Sequence, residues 1–218
     1  MFVLRKGGTY VYIIDVVKGL NPEVDRTVSQ LKSVGFDVGA LAISEKELKG
    51  LRDMIDKELD ISIEPNRPEK IYAEKLSEFG EVSLPPPSFV AFLKYCQDND
   101  IKLFALDMDE EHYTMAYCDH VTGTQWILQS IREKRLKKKT FPNDDPRDFV
   151  KEWDKAINKL KGFQKLEEHR EDIIAKNLIR LSKKGDCLAV IEVERVDGVV
   201  KNMERKGWGI ESEIENDK

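Results

Sequence analysis

Residues 2–17 read FVLRKGGTYVYIIDVV, and the fold prediction starts from them. The pair Gly7-Gly8 separates two apolar runs, which is typical of a β-hairpin turn. The second run, from Tyr10 to Val17, is almost continuously apolar, as expected of a strand that is buried on both faces of a sheet. Asp15 interrupts this run, and a buried carboxylate is costly unless it is paired or hydrogen-bonded.

Strand and helix patterns alternate after this first long strand. FDVGALAI, residues 36–43, predicts the second strand, and Ser44 with Glu47 forms the S-x-x-E capping box of a helix. IKLFALD (101–107) predicts the third strand, and CLAVIEV (187–193) predicts the last one. Alternation of this kind is typical of a parallel α/β sheet.

A long helical segment separates the third strand from the last one. Residues from about 123 to 184 have helical patterns throughout, and the chain closes with an acidic tail from Glu211 to Lys218 that we expect to be frayed. We predict a single α/β domain over residues 1–218, with a mostly parallel sheet and flanking helices. The helical segment is inserted before the last strand.

The composition narrows the class of protein. The 218 residues include 36 Lys and Arg against 41 Asp and Glu, a formal net charge of −5, which argues against general affinity for nucleic acids. Hydrophobic residues make up 40% of the chain, which is enough for a core and excludes wholesale disorder. The charged fraction of 35% is typical of heat-adapted proteins with surface ion pairs, so we expect a thermophilic source.

The sequence favours a cytoplasmic location. Apolar runs fall short of the roughly 20 residues that a membrane span needs, so we expect no membrane partner. The N-terminal MFVLRKGG places its charges after the apolar residues, the reverse of a secretory signal. Cys96, Cys118 and Cys187 lie far apart and form no CxxC pair, so we expect a reducing compartment, no structural zinc and no cofactor.

Charged residues cluster where the predicted parallel strands end. Lys18 follows the first, Asp107 ends the third, and Glu192, Glu194 and Arg195 end the last. Ligands of open α/β sheets bind at these carboxyl ends, so the residues predict a polar binding site along one edge of the sheet. The alternative interpretation is that strand ends meet solvent or form structural ion pairs, and are charged for that reason alone.

A basic segment lies within the helical region. Residues 132–139 read REKRLKKK, with six cations among eight residues, and could contact phosphate groups. The segment has no interleaved aromatic residues for base stacking. We therefore interpret it as a solvated helix end, and we do not expect a nucleic-acid partner.

The order of the segments resembles a known family. VYIIDVVKGL, GALAIS before ISEKELKGL, IKLFALDMD, HREDIIAKNL and CLAVIEVERVDGVV follow one another as in the TraB/PrgY pheromone-shutdown family, within the TraB, Tiki, EreA and ChaN-like superfamily. The resemblance covers the chain from about Val11 to Met203 and implies an α/β fold. Its Arg-Asp helix motif adds Arg170 to the candidate site.

The family's presumed catalytic groups are replaced in this chain. By the resemblance, the two family His positions fall on Lys18 and Arg195, and the family Glu falls on Ala42, whereas Asp107 and Arg170 are kept. Ammonium and guanidinium groups cannot bind a transition metal at neutral pH. The resemblance therefore implies a degenerate active site, and we expect no bound transition metal.

Our preferred prediction is a non-catalytic TraB-like protein with a binding or regulatory role, or a structural homo-oligomer. Any ligand would be a small anion such as phosphate or a carboxylate, held by Lys18, Arg170 and Arg195. If Asp107, Glu192 and Glu194 already neutralise these cations, the cluster is structural instead.

The alternative prediction is a hydrolase-type enzyme with a rebuilt charged site that acts on an anionic substrate. In that case the carboxylates of Asp15, Asp107, Glu192 and Glu194 could also bind a hard cation such as Mg²⁺. A concave pocket around the charged residues would favour the enzyme, and pairwise salt bridges would favour the non-catalytic protein.

Overall fold

The computed structural model describes residues 1–57, 67–142 and 144–213. Six strands within these residues form one sheet, with the order β4-β3-β5-β2-β1-β6. The strands are β1 (Phe2–Lys6), β2 (Thr9–Val16), β3 (Val38–Leu41), β4 (Lys102–Ala105), β5 (Cys187–Glu192) and β6 (Gly209–Glu213).

Helices occupy most of the remaining described chain. They are α1 (Glu23–Ser33), α2 (Glu45–Asp56), α3 (Arg67–Leu76), α4 (Pro87–Asp98), α5 (Glu110–His120), α6 (Gly123–Leu136), α7 (Pro146–Ile157), α8 (Lys161–Leu181) and α9 (Val193–Glu204), with a 3-10 turn at Ser182–Lys184. The segment predicted as an insertion thus contains α6, α7 and α8. The single-domain organisation of the chain stays a prediction.

The α/β class is confirmed, but the sheet is mixed, and the prediction of a mostly parallel sheet is wrong in this detail. β2, β5, β3 and β4 are parallel neighbours, whereas β1 lies antiparallel between β2 and β6. Both glycines of the Gly7-Gly8 turn have positive φ, which produces the predicted hairpin. The sequence predicts a frayed tail from Glu211 to Lys218, but residues Gly209–Glu213 pair with the open edge of β1. The rest of the predicted tail, residues 214–218, lies outside the described residues.

Helices cover both faces of the sheet. α8 and α9 pack on one face, and α1, α2 and α4 pack on the other. Ala189 and Ile191 of β5 face the first layer, and Leu188 and Val190 face the second, because successive strand residues point to opposite faces. This two-sided burial explains why β5 is an unbroken apolar run up to Glu192.

The first turn of α2 has the side-chain capping interactions that the sequence predicts. The Ser44 hydroxyl accepts a hydrogen bond from the Glu47 backbone N–H, and the Glu47 carboxylate accepts one from the Ser44 backbone N–H. The capping box is therefore present.

Among the helices of the described residues, none is long and apolar enough to cross a membrane.

Asp15 of β2 is neutralised by three positively charged groups. Its carboxylate contacts the Arg147 guanidinium of α7, and it lies 3.5 Å from both Arg26 of α1 and the amino terminus of Met1. Glu23 completes the cluster, 2.8 Å from each arginine. Burial favours the neutral acid, but the charges of Arg147 and Arg26 outweigh it and lower the pKa of Asp15. The carboxylate thus ties β2 to α1 and α7.

We expect Asp15→Asn to lower the free energy of unfolding at pH 7 by about 2–3 kcal/mol, because two partly buried guanidinium groups lose a charged partner. A carboxyl with a lowered pKa stabilises the fold above its ordinary pKa, and this contribution disappears as the pH falls through the folded-state value. Urea unfolding should therefore show a smaller difference below about pH 4. The control is Asp98→Asn on the exposed side of α4, and an equal loss in both variants would contradict this role of Asp15.

Candidate functional site at the carboxyl ends of the parallel strands

The structure brings the predicted site residues together at one edge of the sheet. The carboxyl ends of β2, β4 and β5 supply three of them, the first turn of α9 supplies two, and the middle of α8 supplies one. In chain order they are Lys18, Asp107, Arg170, Glu192, Glu194 and Arg195. Ion pairs connect all six through one further residue, Glu167.

Arg195 forms the centre of this arrangement. Its Nη1 lies 3.5 Å from Glu192 Oε1 and 3.4 Å from Glu194 Oε1, and its Nη2 donates to Glu167 Oε2 at 3.1 Å. The Arg195 side chain is only 13% exposed. Burial opposes the charged form of this guanidinium, but the surrounding carboxylates outweigh burial and raise the pKa of Arg195.

Arg170 extends the ion pairs from Glu167 to β4. Its Nε lies 3.2 Å from Asp107 Oδ2, its Nη2 contacts the same oxygen, and its Nη1 lies 3.3 Å from Glu167 Oε1. The ring of Tyr113 covers the guanidinium at 5.8 Å. At the other end, Lys18 Nζ lies 3.5 Å from Glu192 Oε1.

We call this continuous set of ion pairs the strand-end network. It runs in the order Lys18, Glu192, Arg195, Glu167, Arg170 and Asp107, with Glu194 attached to Arg195. Both strand-end glutamates point towards cations, because β5 ends at Glu192 and Glu194 already belongs to α9. Whether these residues bind a ligand stays a prediction.

Carboxyl groups outnumber cations in this region, and several of these carboxyl groups have a raised pKa. Burial raises the pKa of Glu194 to about 7, although the Arg195 charge opposes it. Burial, together with the charge of Glu167, raises the pKa of Glu171 to about 7 and also raises that of Asp154. These three acids therefore differ from the carboxyls that contact two cations.

The carboxyls that contact two cations show the opposite shift. Burial alone would raise the pKa of Glu192, but Arg195, Lys18 and Arg170 lower it below the usual value. Arg195 and Arg170 likewise outweigh burial and lower the pKa of Glu167. The strand-end network thus combines two carboxyls with a lowered pKa, Glu192 and Glu167, and one whose pKa burial raises to about 7, Glu194.

Several buried polar atoms next to Arg195 have no hydrogen-bond partner within the described part of the chain. They are Glu192 Oε2, Glu194 Oε2, Arg195 Nε and Tyr72 OH. Burial, and then the charges of Glu194 and Glu192, raise the pKa of Tyr72, so its phenol stays protonated. Glu194 therefore combines a buried oxygen that has no partner among the described residues with a pKa that burial raises.

The sequence prediction missed Glu167 and Glu171, although their spacing contains a signal. Both stand on the side of α8 that carries the buried residues Ile174 and Leu178, at helical intervals of three, four and seven. Gly198 on α9 makes room for Glu171, because a Cβ at that position would overlap its carboxylate. Charged residues within an inward-facing helical stripe would have indicated a buried ion-pair network.

Metal ligands are not grouped in the parts of the chain that the structure describes: no three His, Cys, Asp or Glu side chains are arranged to hold an ion. The expectation that no transition metal binds stays a prediction.

Two surface clefts lie away from the strand-end network, one between α6 and α7 and one beside α2, α4 and β4.

Comparison with protein-family models gives no match for this chain, and comparison with curated protein sequences gives none either. The relation to the TraB/PrgY family therefore stays a prediction that rests on the sequence pattern.

We expect Glu194→Gln to be more stable than the wild type at pH 8, on the order of 2 kcal/mol, and nearly equal to it at pH 5. A carboxyl with a raised pKa stabilises the fold in its protonated form, and this contribution is lost as the pH rises from about 4 to about 7. The amide imitates the protonated acid and does not titrate. The measurement is the free energy of unfolding as a function of pH.

The matched control is Glu168→Gln, which replaces an exposed carboxyl on α8 and should change stability little at either pH. Some pH dependence should persist in Glu194→Gln because Glu171 has a similar pKa. A variant that is less stable than the wild type at both pH values would show that Glu194 acts as an ionised partner of Arg195.

Proposed function

We propose that this protein is a non-catalytic binding or regulatory protein, and that the strand-end network is structural. The observation that supports this proposal is the pairing of every cation in the network. Arg195 contacts three carboxylates, Arg170 contacts two, and Lys18 contacts one. Cations that are already neutralised in this way are poor ligands for a substrate.

Displacing one of these carboxylates with an incoming anion would also be costly. An anion that approached Arg195 would have to replace Glu192 or Glu167, and the displaced carboxylate would remain buried without its partner. The earlier expectation of an anion held by Lys18, Arg170 and Arg195 is therefore not favoured by this geometry. The cations at the TraB-like His positions, Lys18 and Arg195, support the same interpretation of a degenerate active site.

The second candidate function is a hydrolase-type enzyme that acts on an anionic substrate. One observation favours it: Glu194 has a pKa of about 7 and a buried oxygen with no partner within the described residues. A general acid or base needs a pKa near the working pH. In this candidate Glu194 would transfer the proton, and Asp107 would orient Arg170.

An activity assay separates the two candidates. We expect purified wild-type protein to hydrolyse 4-nitrophenyl phosphate, bis(4-nitrophenyl) phosphate and an anionic carboxylic ester no faster than Glu194→Gln does. Arg195→Met should lower the free energy of unfolding by about 3–5 kcal/mol, because removing one member of a buried ion pair leaves its partners uncompensated.

Wild-type turnover that falls at least about 100-fold in a folded Glu194→Gln variant would favour the enzyme, since that is the lower end of a general acid–base contribution. An Arg195→Met variant as stable as the wild type would contradict the structural role of the network.

Self-association through α6 is the second part of the proposal. Ile127, Leu128 and Ile131 share one side of this helix, Trp126 precedes them in sequence, and all four are between 45% and 59% exposed. They leave roughly 400 Å² of apolar surface uncovered, about half of what one partner buries in a standard interface. On α5, Met115 and Tyr113 are also exposed hydrophobic side chains.

The charge distribution along α6 favours a second copy of this chain as the partner. The apolar residues 126–131 precede the basic residues 132–139. If two α6 helices pair in antiparallel fashion, their apolar stretches meet and their basic ends lie at opposite ends of the pair. This arrangement buries the apolar surface and avoids repulsion between like charges.

We expect wild-type protein to be a dimer by sedimentation velocity and Leu128→Glu to be a monomer, because a buried carboxylate without a partner opposes association. The control is Leu84→Glu: Leu84 is 48% exposed and Leu128 is 49% exposed, but Leu84 lies outside α6. A monomeric wild type, or equal dissociation of both variants, would contradict self-association through α6.

A further inference from the structure

A basic cleft lies between α6 and α7. Its volume is about 610 Å³, which is within the range of small-molecule sites. Five cations line it: Arg132, Arg135, Lys139, Lys155 and Lys159. Glu152 is its acidic residue, and Leu136 gives it an apolar floor.

Helical spacing explains why these side chains converge. Residues 132, 135 and 139 are separated by three and four positions on and just beyond α6. Residues 152 and 155 are three positions apart on α7, and Lys159 follows just beyond the end of that helix. The cleft thus lies between two facing helical stripes. Half of the cations in the basic segment 132–139 belong to it, so the interpretation of that segment as a solvated helix end is incomplete.

The cations of the cleft differ from the buried cations elsewhere in the protein. Arg26, Arg147, Arg170 and Arg195 each contact at least two carboxylates. In the described part of the chain, no carboxylate lies within 4.0 Å of a charged nitrogen of the five cleft cations. The whole chain has a net charge of −5, so general basicity does not explain this concentration of positive charge.

Arg132 is held in position within the cleft. Its Nη2 donates to the Ala156 carbonyl oxygen at 2.7 Å, near the C-terminal end of α7. Gln129, one turn earlier, donates to the Ile157 carbonyl oxygen at 2.9 Å. Arg132 Nε is buried and has no acceptor among the described residues. The Nη2 hydrogen bond fixes the Arg132 guanidinium beside the cleft that this residue lines.

We propose that the α6–α7 cleft binds a small phosphate-bearing anion, of the size of pyrophosphate or a nucleotide. The planar guanidinium groups of Arg132 and Arg135 suit the paired oxygens of a phosphate group, and the three lysines add positive charge around them. This inference rests on the proposed binding role and names the class of ligand. It does not depend on the strand-end network.

A small ligand fits these observations better than a nucleic acid does. The cations converge on one cleft, whereas a nucleic-acid backbone needs basic groups spread along an extended surface. The acidic character of the whole chain would also repel a long polyanion.

Isothermal titration calorimetry at low ionic strength tests the proposal, with inorganic pyrophosphate and ATP as probes. We expect both to bind the wild type, and we expect the double variant Lys155→Gln, Lys159→Gln to bind them at least about tenfold more weakly. The control is Lys94→Gln, Lys183→Gln, which removes the same charge from two exposed lysines outside the cleft and should bind like the wild type. Both double variants should keep the wild-type melting temperature, because the replaced lysines form no ion pair within the described residues.

Absence of binding to the wild type, or equal weakening in both double variants, would overturn the proposal. A single-stranded oligonucleotide that binds more tightly than ATP, and is weakened only in the Lys155→Gln, Lys159→Gln variant, would assign the cleft to nucleic acid instead. Ester hydrolysis lost in Glu194→Gln bears on the proposed function alone. Failure of the cleft inference and failure of the non-catalytic role are therefore distinguishable.

Discussion

The burial of the Arg195 guanidinium is the constraint on which the arrangement of the helices around β5 depends. A guanidinium cannot lose its charge at any physiological pH, so burial is tolerated only where carboxylates surround it. Glu192 comes from the end of β5, Glu194 from the first turn of α9, and Glu167 from α8. These three contacts position α8 against α9 and hold both at the carboxyl edge of the sheet.

Carboxylates that are shared between two cations extend the ion pairs across the sheet. Glu167 is shared with Arg170, which pairs with Asp107 after β4, and Glu192 is shared with Lys18 after β2. The network therefore connects the ends of β2, β5 and β4, which are not all neighbours in the sheet. Burial raises the pKa of Glu194 and of Glu171 to about 7, so this region is sensitive to pH near neutrality.

The protein has two regions rich in cations, which differ in whether carboxylates contact those cations. At the strand ends, carboxylates from neighbouring elements contact the arginines. Between α6 and α7, the cations line an open cleft and have no carboxylate contact within the described residues, and the exposed apolar residues of α6 lie beside it. The proposed ligand and subunit surfaces thus lie on the helices between β4 and β5, away from the strand-end network.

Local chemistry and periodicity within the sequence determined the β1–β2 hairpin, the strands β1 to β5, the capping box of α2 and the α/β class. The order of its segments also identified six of the seven residues of the strand-end network, because strand ends and one helix motif mark them. The tertiary structure alone decided that β6 pairs with β1, that Glu167 joins the two arginines, and that Arg132 and Lys155 line one cleft. Each of these depends on contacts between distant segments, and the spacing of residues within one segment contains no information about which other segment it will meet.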